Sequence, residues 1–69
     1  MKGFHPHDGG SMPCDYGERV RVKTAMQVGT HSSIVDTAGN LHSMAESMWI
    51  WRDPKKARGS EIVWWRIEE

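Results

Sequence analysis

The stretch WIWRDPKKARGSEIVWWRIEE, from Trp49 to Glu69, decides how the rest of the chain must fold. It holds all four tryptophans, as the close pairs Trp49/Trp51 and Trp64/Trp65, with a basic, turn-prone connector between them. A buried aromatic residue removes about 150–250 Å² from water, so a few of them dominate the energetics of a small domain. We therefore interpret this stretch as two extended segments that close the core of a small β-rich module.

The last segment, Glu61 to Ile67, predicts a strand in which two faces alternate. Only one of these faces is apolar throughout, and it carries Val63, Trp65 and Ile67, which we expect to point into the core. Trp64 is then partly exposed on the other face. Trp49 to Trp51 is predicted to form the preceding strand, which Pro54 terminates because proline has no N–H for a ladder.

Upstream, Glu18 to Met26 predicts the clearest strand, because Val20 and Val22 alternate with three cations. A shorter strand is predicted for Ser32 to Thr37, with Ile34 in the core. The solvent side of the sheet is expected to carry the cations Arg19, Arg21 and Lys23. The complete predicted core comprises Val20, Val22, Ile34, Trp49, Trp51, Val63, Trp65 and Ile67.

The remaining segments complete the predicted architecture. Residues 1–17 are rich in glycine and proline, so we expect them to be irregular with mobile first residues, and residues 18–69 to form one small β-rich domain. Ser43-Met44-Ala45-Glu46 matches a capping box and favours one short helical turn near 43–48, with a strand as the open alternative. The predicted class is mainly β, or small α+β, with a three- to four-stranded antiparallel sheet, for which an SH3-like incomplete barrel is one candidate form.

Composition limits both stability and location. A chain of 69 residues buries about 60% of the surface that its unfolded form exposes. The single cysteine, Cys14, excludes an intrachain disulfide and fits a reducing compartment. The sequence has no apolar run of membrane-spanning length and no signal-peptide pattern, so we expect a cytoplasmic protein that does not enter membranes, as a monomer or weak dimer.

Short motifs along most of the chain, from about Gly9 to Ile67, resemble small proteins encoded by tailed bacteriophages and prophages. These motifs are Gly9-Gly10-x-x-Pro13-Cys14, Gly17, Val20-x-Val22, Ala45 four residues before Trp49, and Ile62-Val63-x-Trp65-Arg66. The resemblance implies a phage-derived domain in the cytoplasm of a bacterial host, and it brings no established activity with it.

The sequence departs from that family pattern at three places. Pro13 precedes Cys14, whereas the family has the reverse order. The usual Asp-Gly turn after the first strand is missing, and residues 26–40 resemble an enlargement of that hairpin. The closing strand carries Trp65 where tyrosine is usual.

The residues give little support to metal binding or catalysis. His5, His7 and Cys14 are weak metal candidates, because structural zinc sites favour pairs of closely spaced cysteines. A nucleophilic Cys14 would need a histidine base beside it, and the sequence indicates none. Phosphate-binding glycine loops and nucleotide fingerprints are absent. We expect a protein without enzymatic activity, cofactor or metal.

Binding to another macromolecule is the function that remains. Nine Lys and Arg balance nine Asp and Glu, which argues against a DNA-coating protein. We expect a protein partner, recognised through an exposed aromatic residue with flanking cations. Two alternatives stay open: a single-stranded nucleic acid bound by cations and stacking aromatics, and a self-associating structural protein without a ligand. The candidate partner-binding residues are Trp64, Arg66, Arg52, Lys55, Lys56, Arg58, Arg19, Arg21 and Lys23.

Overall fold

The computed structural model describes residues 3–41, 44–51 and 57–68. Four strands form one antiparallel sheet, in the order β1-β4-β2-β3: β1 (His5–Pro6), β2 (Arg19–Thr24), β3 (Ile34–Thr37) and β4 (Ile62–Ile67). A 3-10 turn (Ala25–Gln27) follows β2, and a one-turn helix α1 (Glu46–Trp49) precedes β4. The predicted mainly β, antiparallel class is confirmed. The sheet is open, with β1 and β3 at its two edges.

A glycine turn introduces β2. Gly17 has a φ of +89°, and the Glu18 N–H donates to the Asp15 carbonyl, which closes a turn around Tyr16 and Gly17. The Gly17 N–H then donates to the Ala38 carbonyl, while the Ala38 N–H donates to the Glu18 carbonyl. Two residues thus oppose one, which is the G1 bulge that requires a left-handed glycine. This bulge fixes where β2 begins to pair with β3.

A second irregularity changes which side of β4 is buried. Trp64 lies opposite Lys23, but the next residue of β2, Thr24, lies opposite Ile62, so Val63 is the extra residue. A shift of one residue moves a side chain to the other face of a sheet. Ile62 is therefore fully buried and Val63 only half-buried. The prediction of Val63 as the core residue was wrong for this reason.

The core lies on one side of the sheet. Val20, Val22 and Trp49 are fully buried, as predicted, and Ile34 and Trp65 pack against them while remaining partly buried. Ala38, Met44 and Ile62 complete the buried cluster. Ile67 does not belong to it: the residue is 44% exposed because it is the last residue of β4.

The first tryptophan pair is not a strand. Trp49 ends α1, close to the helical turn predicted near 43–48, and the half-buried Trp51 follows in an irregular segment. The Trp51 indole N–H donates to the Ile62 carbonyl at 3.1 Å, so a side chain replaces the predicted backbone ladder. Ser43, which belongs to the predicted capping box, lies outside the described residues. In the described part of the chain no helix has the length and apolarity needed to cross a membrane.

The N-terminal segment is more ordered than its composition indicates. His5 and Pro6 pair with Trp65 and Trp64 of β4, so a strand lies within the segment that was expected to be irregular. Gly9, with a φ of +88°, lies so close to Trp51 that an added Cβ would be 2.7 Å from the indole. The chain is thus held at two points by the tryptophan segments. Met1 and Lys2, the first of the residues expected to be mobile, lie outside the described residues.

Candidate functional site

The side of the sheet opposite to the core carries most of the candidate residues. Since Val20 and Val22 face the core, strand alternation directs the intervening cations to the other side. Directly opposed residues of antiparallel strands share a face, which extends this set across all four strands. We call it the outer face; its strand residues are Pro6, Arg19, Arg21, Lys23, Val35, Thr37, Trp64 and Arg66.

Lys23 is on this face but is not available to a partner. Its residue is only 4% exposed, because the connection from β2 to β3 folds over it. Its Nζ donates to the carbonyls of Thr30 and Ser32, both at 2.6 Å, and of Gln27 at 3.5 Å. These contacts use all three N–H groups of the ammonium. The prediction of Lys23 as a solvent-exposed binding residue was therefore wrong.

Arg21 is also occupied by contacts within the chain. Its Nε and one Nη donate to the two carboxylate oxygens of Glu68 at 3.1 and 3.0 Å, and the other Nη donates to Ser33 Oγ at 2.7 Å. The paired geometry is the bidentate form in which an Arg–carboxylate contact is most specific. Hydrogen bonding to Arg21 lowers the pKa of Glu68 and raises that of Arg21. The charge of Arg21 is therefore balanced by Glu68 within the chain.

Arg66 joins this network to an aromatic group. Its Nε lies 3.6 Å from the Glu68 carboxylate, and its guanidinium carbon lies 4.9 Å from the centre of the Phe4 ring. The second contact is a cation–π interaction. Half-buried Trp64 lies two residues before Arg66 on the same face of β4. The outer face thus has a centre of two aromatic rings and two arginines held by one carboxylate.

The other predicted cations divide into three groups. Arg19 is exposed at the start of β2, on the outer face. Arg58 is exposed in the connector before β4, where its backbone N–H donates to the Glu61 carboxylate at 2.5 Å. The remaining three predicted cations lie outside the described residues: Arg52, Lys55 and Lys56.

The free edge of β3 is partly blocked by its own side chains. The N–H and C=O groups of Ala38 both bond to the start of β2. Because the direction of these groups alternates along a strand, the N–H and C=O groups of Val35 and Thr37 point away from β2, toward the free edge. The Thr37 N–H donates to the Asp36 carboxylate at 2.6 Å, and the Thr37 carbonyl accepts from the Asn40 N–H at 3.0 Å. This arrangement protects an edge that would otherwise pair with another strand.

The candidate metal residues have structural contacts instead. His7 is buried, and its Nε2 donates to the Trp49 carbonyl at 2.5 Å with the ring edge-on to the Trp49 indole. The His5 ring packs against Trp65 at a centroid distance of 5.0 Å. Burial raises the pKa of the Cys14 thiol. Among residues 3–41, 44–51 and 57–68, no three histidine, cysteine, aspartate or glutamate side chains are grouped to hold a metal ion.

Two residues of the outer face escaped the sequence reasoning. These residues are Phe4 and Glu68, and the spacing of two between Arg66 and Glu68 was a usable signal that they lie on the same face. Comparison of the chain with protein-family models, curated proteins and solved structures found no match.

Proposed function

We propose that this chain is a non-enzymatic, phage-derived interaction module that binds a protein partner in the bacterial cytoplasm through its outer face. The observation that carries this proposal is that Arg21 and Arg66 share the Glu68 carboxylate and Arg66 stacks on Phe4, with Trp64 on the same face of β4. Tryptophan and arginine are the residue types most enriched at the energetic centres of protein interfaces. The resemblance to phage proteins supports a host or phage protein as the partner.

Pre-organisation supports a role in binding. The Glu68 carboxylate and the Phe4 ring hold the two guanidinium groups, so less side-chain entropy is lost when a partner docks. Arg66 keeps 39% of its side-chain surface exposed and can still donate outward. The fitting partner surface is an apolar or aromatic side chain over Trp64, with a carboxylate or carbonyl acceptor near Arg66.

Single-stranded nucleic acid is less well supported than a protein. That alternative depended on free cations beside exposed tryptophans. Lys23 is held by three carbonyls, Arg21 by Glu68, and Arg66 by Glu68 and Phe4. At Lys23 and Arg21, phosphate groups would have to displace these contacts, whereas a protein partner of low charge leaves them intact.

Affinity capture with matched variants tests the proposal. Wild type, Trp64→Ala and Leu41→Ala are immobilised and exposed to bacterial lysate, and bound proteins are quantified by mass spectrometry. Leu41 is a suitable control because it is 85% exposed and lies in the turn after β3. We expect a protein retained by wild type and Leu41→Ala but depleted about tenfold by Trp64→Ala, the effect of losing about 1.4 kcal/mol of binding energy.

The captured protein must then bind purified wild type directly with the same ranking of variants. Equal capture by all three chains contradicts the proposal. Quenching of tryptophan fluorescence by a single-stranded oligonucleotide, strong at low salt and fading as salt rises, would favour the nucleic-acid alternative instead.

A further inference from the structure

A cleft of about 500 Å³ lies along β1, and its lining includes Pro6 and His7 but none of Phe4, Trp64 and Arg66. Trp65 and His5 line one part of it, and Asp8, Ser11 and Pro13 line another. His5 and Trp65 are directly opposed in the ladder, so they share a face that Trp64, the neighbour of Trp65, does not. This cleft is therefore separate from the centre of the outer face. Its volume suits a small ligand or a single inserted side chain.

The wall of the cleft formed by the N-terminal segment is held in place by two hydrogen bonds from His7. The His7 backbone N–H donates to the Val63 carbonyl at 2.9 Å, and the His7 ring is fixed by the Trp49 carbonyl. His7 thereby anchors the chain between the strand residue His5 and the carboxylate residue Asp8. A cleft that exists before the ligand arrives binds with little reorganisation.

The formal charge of the cleft is negative. With histidine counted as neutral, Asp8 is the one charged residue among the described residues that line it. One carboxylate oxygen of Asp8 accepts from the Gly10 N–H at 3.0 Å, and this bond orients the group. The arginines of β2 and β4 lie on the other face of the sheet. The cleft is therefore matched to a cation.

The aromatic walls select the shape of that cation. The His5 and Trp65 rings pack against each other, with centroids 5.0 Å apart and planes inclined at 46°, and together they give the cleft an aromatic wall. A guanidinium group is planar, stacks on indole and pairs with a carboxylate, whereas an ammonium group is a compact point charge. We propose that this cleft binds a guanidinium group, supplied either by an arginine side chain of a protein or by a free guanidino compound.

Titration followed by the indole N–H signals in ¹⁵N-NMR tests this proposal. The ligand is N-acetyl-arginine amide, and its control is N-acetyl-citrulline amide, which has nearly the same shape without the charge. We expect the Trp65 signal to shift, with affinity for the arginine compound about tenfold higher, as loss of a charge-assisted contact implies. A glycine-flanked arginine peptide that binds more tightly than the arginine amide identifies a protein as the source; equal affinity identifies a free compound.

Asp8→Asn is the decisive variant, because the asparagine carbonyl keeps an acceptor for the Gly10 N–H. We expect it to remain folded and to bind N-acetyl-arginine amide about tenfold more weakly. Equal binding of arginine and citrulline compounds, unchanged affinity in Asp8→Asn, or tighter binding of N-acetyl-lysine amide would each overturn the proposal. Trp64→Ala should leave this titration unchanged, so the result is independent of the outer face.

Discussion

Lys23 shows most clearly how one residue combines charge with burial. Its ammonium donates hydrogen bonds to three backbone carbonyls, where an exposed lysine would donate to water. These bonds hold the long connection between β2 and β3 in one conformation. Sequence alternation placed Lys23 on the correct face of the sheet. Alternation does not indicate, however, that the connection between β2 and β3 folds back over the same face.

We expect Lys23→Met to lower the free energy of unfolding by about 2–3 kcal/mol, because hydrogen bonds to a charged group are lost and carbonyls are left without a donor. Chemical denaturation measures the change, and hydrogen exchange should quicken in residues 27–33. Arg19→Met is the matched control on the same strand and should change stability by less than about 0.5 kcal/mol. Equal effects of the two substitutions would show that the carbonyl contacts do not stabilise the fold.

Glu68 gives a prediction about pH. Its hydrogen bond to Arg21 lowers its pKa in the folded state, so its contribution to stability is present above the pKa of the unfolded chain. That contribution is lost as the pH falls through the lowered folded-state pKa. We therefore expect Glu68→Gln to have a lower melting temperature than wild type at pH 7, and the difference to shrink in acid. A difference that persists unchanged at pH 2 would contradict this account.

The tryptophans are expected to separate by burial. Trp49 is fully buried, so Trp49→Ala should cost about 3–5 kcal/mol of unfolding free energy through the cavity it leaves. Trp64 is half-buried on the outer face, and Trp64→Ala should cost about 1 kcal/mol and leave the chain folded. Thermal melts by circular dichroism compare the two. If Trp64→Ala unfolds the chain, the capture experiment must use Trp64→Phe instead.

At the level of elements, β2 and β4 could be predicted from alternation with period 2, and β3 from its β-branched centre Ile34-Val35, because both are local properties of the sequence. β1 could not, since His5-Pro6 has no alternation and becomes a strand only by pairing with Trp64 and Trp65. The prediction that Val63 faces the core failed for a similar reason. The extra residue Val63 is defined by the register against β2, which no feature within β4 reports.

Edge protection of β3 leads to a prediction at this scale. Asp36→Val removes the carboxylate that accepts the Thr37 N–H and adds a β-branched apolar side chain to an edge strand. We expect concentration-dependent self-association, measured by sedimentation velocity. Asp36→Asn is the control, because its side-chain carbonyl still accepts that N–H, and it should match wild type. Identical sedimentation of all three chains would show that the Asp36 cap is not what protects the edge.

For the whole molecule, the N-terminal segment completes the fold. β1 and His7 together add backbone pairs to β4 and a side-chain bond to Trp49, and they cover the indoles of the core. A chain of this size has little stability to lose.

We therefore expect a chain that begins at Gly9 to lose cooperative thermal unfolding and the near-ultraviolet circular dichroism of its packed tryptophans. A chain that begins at Gly3 is the control and should behave as wild type. If both truncated chains unfold alike, with the wild-type transition, the segment from Gly3 to Asp8 is not needed for the core.

The amino-acid sequence by itself determined the class of this protein: a small, mainly β domain whose core contains the valines of β2 and one tryptophan from each pair, Trp49 and Trp65. Those features follow from local alternation and from the few large apolar residues that 69 positions supply. Only the tertiary structure decided which cations remain available and where a cleft forms. Each of these depends on contacts between segments distant in the chain: the carbonyls around Lys23, Glu68 against Arg21 and His5 beside Trp65.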